Sequence, residues 1–126
     1  IANNQKLADL EKWEFTALQF QKDKDAELLK RINGMFRYVS FSFVNEQLNG
    51  GEKLTCVCTV NGTPFLDVNN AGQINAGIDI INAICTAKGV SAPIFVDNAE
   101  SVNQIIPSLS QIIRLVVTTD KELTIK

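Results

Sequence analysis

Apolar positions are sparse and narrowly set in the first third of the chain. Leu7, Leu10, Glu14 and Ala17 follow a spacing of three and four, and after a slip Phe15, Leu18, Lys22, Leu29, Ile32 and Phe36 continue a heptad-like repeat with polar lapses. Residues 5–36 are rich in Lys, Glu, Gln, Leu and Ala, lack Pro and meet no Gly before Gly34, which predicts one long helix. A narrow stripe on a long charged helix suits a two-stranded coiled-coil seam or a surface helix better than a core element. Without a partner strand, Trp13, Phe15 and Phe20 are expected to be partly exposed and to favour self-association.

The period then changes from helical to alternating. After Asn33-Gly34, a helix stop, "RYVSFSFV" (37–44) puts Val39, Phe41 and Phe43 on one face and Tyr38, Ser40 and Ser42 on the other. "NGG" (49–51) turns the chain, "KLTCVCTV" (53–60) alternates again, and a second Asn-Gly follows at 61–62. Three antiparallel strands are predicted, over 37–44, 53–60 and 63–67. In "NAGQINAGIDIINAICTAKG", residues Ile74, Ile78, Ile81, Ile84 and Cys85 predict a helix with one apolar face, N-capped by Asn69 or Asn70 and stopped by Gly89. A strand over 92–97, a helix near 100–108, a strand over 111–118 and a terminal strand over 122–126 complete the prediction. Strand, helix, strand is the pattern of a parallel crossover. The expected fold is therefore α/β in an α+β layout: a long helix over 1–36, then a body over 37–126 of β-meander and βαβ unit.

Composition narrows the function classes. A chain of 126 residues, 45% hydrophobic and 21% charged, has the balance of a soluble globular protein. A net charge of −2 offers no broad basic surface, so DNA binding by this chain alone is disfavoured. The longest apolar stretches, around 78–85 and 112–118, are too short to span a bilayer, and the expected location is cytoplasmic. Cys56, Cys58 and Cys85 are expected to be reduced, buried thiols; no His is present to complete a Cys/His metal spacing or to activate a thiol nucleophile. The chain begins at Ile1 with residues that read as mid-helix, as expected of a piece of a longer protein.

Two stretches carry candidate chemistry. "SAPIFVDNAESVNQ" (91–104) is an apolar run ending in Asp97, which predicts a carboxylate at the C-terminal tip of a buried parallel strand, where open α/β sheets bind ligands. "NNAGQ" (69–73) opens a helix with small and amide residues. Each also has a plain structural reading, as a solvated strand end and an ordinary N-capped helix.

Taken in order, the stalk-like helix, the meander, the "NNAGQ" turn, "APIFVD" and the strand ending in "VVTTD" (116–120) resemble the C-terminal half of an SMC-type ATPase head. The nearest likeness is to the bacterial and phage SbcC-, RecF- and RecN-like DNA-repair ATPases of the ATP-binding-cassette class. The resemblance implies ATP and Mg²⁺ as cofactors. It makes residues 69–73 the signature motif, with Asn70 in place of its serine, Ala71 and Gly72 in place of its glycines, and Gln73 as its Gln/Glu. It makes Asp97 the Walker B acid that holds Mg²⁺ through water. Asn98 stands where the family has its catalytic Glu, so Glu100 does that work or hydrolysis is slow. Ser101 and Asn103 fall in the loop that crosses to a second head, and Thr119 at the polar switch position. G-x-x-x-x-G-K-[ST] does not occur in the sequence. The implied partners are therefore an N-terminal Walker A lobe of the same protein and a second head in a homodimer. DNA is engaged indirectly, no membrane is involved, and this chain alone is inactive. The alternative is a non-enzymatic interaction module with a degenerate nucleotide site.

Overall fold

A computed structural model describes residues 2–48 and 51–125. The chain divides into two units, Ile1–Gly34 and Met35–Lys126. The first is helix α1 (Ala2–Asn33). Side chains four apart brace its turns: Arg31 Nε donates to Glu27 Oε1 at 2.8 Å, and the Gln19 and Gln21 amides donate to Asp23 and Asp25. Such pairs contribute about 0.2–0.5 kcal/mol each. Lys30 and Arg31 in the last turn complement the negative end of the helix. Leu7, Leu10, Phe15, Leu18 and Phe20 are exposed, and Trp13 is 73% exposed. The helix ends before Gly34, so Phe36, expected at its last heptad position, instead stacks at a tilt on Phe41 with ring centroids 5.0 Å apart.

In the second unit the meander forms a sheet of order β1-β2-β3, with β1 (Val39–Leu48), β2 (Gly51–Val60) and β3 (Thr63–Pro64) antiparallel. Register runs from Val39 opposite Val60 to Leu48 opposite Gly51. The first expected turn, "NGG", lies partly outside the described residues. The second is an Asn61-Gly62 turn with φ of 50° and 81°, the left-handed pair that a two-residue hairpin loop requires. The strand expected over 63–67 stops at Pro64, and Phe65–Asp67 form one 3-10 turn.

Helix α2 (Asn70–Lys88) joins two apolar clusters. Ala76 packs with Val39 and Val60 of the meander, with Ile80 at the margin. Ile78 packs with Ile94, Val96 and Ala99, flanked by Ile74 and Ile81. Ile94 and Val96 belong to a parallel pair, β4 (Ile94–Val96) with β5 (Ile112–Arg114), Ile94 opposite Ile112. Ile84, expected on the apolar face, is exposed. At about 100° per residue it falls opposite the side shared by the two clusters.

Three expectations fail in the last third. The helix near 100–108 does not form: Ala99–Ser101 make one 3-10 turn, and 102–110 have neither helix nor strand. Helix hydrogen bonding there is displaced by α2, since Asn75 donates from Nδ2 to the Gln104 carbonyl and accepts from Ile106 N–H, both at 3.0 Å, and Asn82 donates to the Pro107 carbonyl. The βαβ unit is therefore a parallel pair without a crossover helix. The predicted strands 92–97 and 111–118 shorten to β4 and β5, and 120–125 carry no strand. No helix among the described residues is long and apolar enough to cross a membrane.

Between the two apolar clusters α2 carries Asp79, 4% exposed. Its carboxylate accepts three consecutive backbone N–H groups: Arg37 at 3.0 Å, Tyr38 at 2.7 Å and Val39 at 3.0 Å. These bonds tie the start of β1 to the middle of α2. Asp79→Ala would strand those donors, at about 1–3 kcal/mol for each buried one. With Val39 the buried donor of the three, we expect it to lower unfolding free energy by about 1–3 kcal/mol, and Asp79→Asn, which keeps one acceptor oxygen, to lower it less. Urea denaturation of the three proteins measures this; identical midpoints would remove the clamp from the account.

Candidate functional site

The entrance of α2 is built by Asn69, with extended backbone (φ −62°, ψ 162°) and a side-chain oxygen that accepts Gly72 N–H at 2.8 Å. Its carbonyl takes the first helical bond, from Gln73 N–H at 3.0 Å. Of the two asparagines expected to cap, Asn69 therefore does so, which leaves the Asn70 side chain for another partner. Gln73 donates from Nε2 to the Phe65 carbonyl at 3.1 Å. Ala71 is half-buried and Gly72 buried; a Cβ on Gly72 would overlap Cγ1 of Val68. A small residue is thus demanded at 72 by packing of the preceding turn.

The second half of the site begins where β4 ends. Parallel pairing continues past the strands, with Leu115 N–H donating to the Val96 carbonyl at 2.9 Å and Ala99 N–H to the Leu115 carbonyl at 3.1 Å. Between these bonds the chain makes a tight turn through Asp97 and Asn98, the latter left-handed at φ 54°, ψ 39°. Asp97 is exposed at the C-terminal end of β4; its Oδ1 accepts Asn98 N–H at 2.9 Å. Strand β4 is buried on one face only, since Phe95, between buried Ile94 and Val96, is 66% exposed.

Asn70, Asn98 and Ser101 come together. Ser101 Oγ accepts from Asn70 Nδ2 at 2.6 Å and from Asn98 Nδ2 at 3.2 Å, and donates to the Asn98 carbonyl at 2.8 Å. The helix entrance and the turn carrying Asp97 are joined by a bond spanning 31 residues. Glu100, Asn103 and Thr119 are exposed and make no hydrogen bond among the described residues. A shallow groove of about 350 Å³ beside the entrance is lined by Tyr38, Asp67, Asn69 and Gly72, among others, and not by Asp97 or Ser101.

No group of three or more His, Cys, Asp or Glu able to hold a metal occurs among the described residues. Asp97 is a lone carboxylate, a donor set that suits Mg²⁺ held through water and shared with phosphate oxygens, and does not suit an all-protein cage. Cys56 is exposed, so it departs from the expected burial, while Cys58 and Cys85 are intermediate. Burial, and then the neighbouring Cys56, pushes the Cys58 thiol above its ordinary range. The residues that sequence patterning overlooked are Asn75, Asp79 and Asn82. Their spacing of four and three inside an otherwise apolar helix was the available signal.

Two outcomes follow from this geometry. Gly72→Ala destabilises the fold by about 1–3 kcal/mol through overpacking, and Val68→Ala in the same chain recovers part of the loss. Thermal denaturation of the two single variants and the double variant measures this, and additive losses would exclude the Val68 contact. Iodoacetamide modifies Cys56 before Cys58, because a raised pKa leaves less thiolate at pH 8 and Cys56 is more exposed; peptide mapping over time reads the order, and equal rates would contradict it. Compared with protein-family models, curated proteins and solved structures, the chain matches none.

Proposed function

We propose that this chain is the C-terminal lobe of an SMC/SbcC-like ATPase head, acting in cytoplasmic DNA repair, recombination or chromosome maintenance. The observation that carries the proposal is the Asn70–Ser101 bond, which joins a helix entrance of signature-motif position to the turn that follows Asp97, an exposed acid at the end of a parallel strand. A helix entrance suits a phosphate, and a strand-end Asp suits the Mg²⁺ that accompanies it. The missing half has physical support as well. Parallel sheets are almost always covered on both faces, and Phe95, on one face of this pair, is 66% exposed.

In this mechanism two heads hold two ATP molecules between them. Asp97 would hold Mg²⁺ through water in one site, and residues 70–73 of the same lobe would present the helix entrance to the γ-phosphate in the other. Bound Mg²⁺ supplies charge neutralisation of the phosphates. Asn98 cannot accept a proton as a Glu would. Its amide is turned to Ser101, so water activation falls to the exposed Glu100 or hydrolysis is slow. DNA is engaged through the full-length protein.

A second assignment, an interaction module without catalysis, is favoured by one observation: Asn69, Gly72 and Gln73 are each committed to local structure. The two part on kinetics. In the full-length protein with its phosphate-loop half, Asp97→Ala is expected to lower ATP turnover by about two orders of magnitude. Equal turnover in wild type and Asp97→Ala would remove Asp97 from the mechanism; no turnover in the full-length protein, or a parent gene without an upstream G-x-x-x-x-G-K-[ST] loop, would end the ATPase assignment.

A further inference from the structure

Ser101 uses its whole hydrogen-bonding capacity inside the lobe. A hydroxyl has one proton and two lone pairs; here the proton goes to the Asn98 carbonyl and the lone pairs take the amides of Asn98 and Asn70. The Asn98 carbonyl also accepts Ser101 N–H at 3.1 Å, closing the turn twice. On its other side the turn is pinned by Ala99, whose N–H donates to Leu115 and whose carbonyl accepts Arg114 Nη2 at 3.2 Å. Ala99 is fully buried, so the turn has a fixed floor and one adjustable wall, the Asn70 amide. Asn98 is left-handed, a conformation that asparagine adopts more readily than most L-residues. Asp97 immediately precedes it, and the Asp97 carboxylate is oriented by Asn98 N–H.

We infer that Ser101 is a positioning residue and not a nucleotide ligand: its hydroxyl couples the entrance of α2, through Asn70, to the turn that aims the Asp97 carboxylate. A shift of the entrance when it meets a phosphate is then carried to the magnesium-binding acid of the same lobe, so that one site senses the occupancy of the other. This rests on the ATPase assignment for its consequence, but the coupling itself is a property of the chain alone.

The test has two arms. In this chain alone, Asn70→Ala is expected to displace the backbone amide resonances of residues 98–101, and Ser101→Thr, which keeps the hydroxyl, to displace them less than Ser101→Ala. Unmoved resonances in Asn70→Ala would overturn the coupling whether or not the protein is an ATPase. In the full-length protein, Ser101→Ala is expected to lower kcat for Mg·ATP by about tenfold with KM within about twofold, and Ser101→Thr to restore most of the rate. The Asn70→Ala/Ser101→Ala double variant should lose no more than the worse single variant. Multiplied losses, or a rise in KM with kcat unchanged, would make Ser101 a ligand and overturn the inference while leaving the ATPase assignment in place. Absence of ATP turnover in the full-length protein would instead remove the assignment while the resonance shifts still decide the coupling.

Discussion

The carboxylate of Asp79, buried in the middle of α2, is the constraint on which the second unit is arranged. An ionised group out of water is tolerable only when its charge is met by donors. Here the donors are three consecutive backbone N–H groups at the head of β1, 40 to 42 residues away in sequence. Satisfying the acid therefore sets where the meander begins relative to α2. Val39, the last of the three donors, is also a core residue, so the electrostatic and apolar requirements are met at one point.

Asn75 and Asn82 extend the same logic along the helix. With Asp79 they form a polar stripe at helical spacing between two apolar ones, and each ties backbone that lacks a ladder of its own. Segment 104–108 is held in this way: Ile106 gives its N–H to Asn75, Gln104 and Pro107 their carbonyls to α2, and Ser108 donates to Asn82 Oδ1 at 2.6 Å. Helix α2 thus serves as a spine, with one apolar flank to the meander, another to the parallel pair and a hydrogen-bonding edge between. Its first turn is capped by Asn69 and packs through Gly72 on Val68.

Much of this was legible along the chain. Alternation over Val39–Phe43 and over 53–60, with Asn-Gly at 61–62, specified the antiparallel sheet, because alternation and a left-handed turn pair are local properties. The long helix and α2 followed from composition and 3.6-residue spacing. What misled was residues 100–108. Ser101 and Gln104 have the spacing of a helix cap, while Pro107 argues against a helix continuing past Ile106, and the structure resolves the conflict by bonds to distant asparagines. Of the candidate site, Asp97 at a strand end was legible as a pattern. The meeting of Asn70, Asn98 and Ser101 was not, because nothing in a side chain's identity tells which residue 31 positions away it will touch.

By itself the sequence determined the long helix, the antiparallel meander, helix α2, the parallel pairing of the short strands near 94 and 112, and the chemical inventory: a strand-end acid, an amide-rich helix entrance and no histidine. Tertiary structure alone decided that Asn69 and not Asn70 caps α2, that Gly72 answers to Val68, that the Ser101 hydroxyl meets Asn70 and Asn98, and that Phe95 is exposed. The division has a physical cause. Backbone propensity and hydrophobic period act over a few residues, whereas the satisfaction of a buried acid or a free amide is settled only when distant segments compete for the same donors and acceptors.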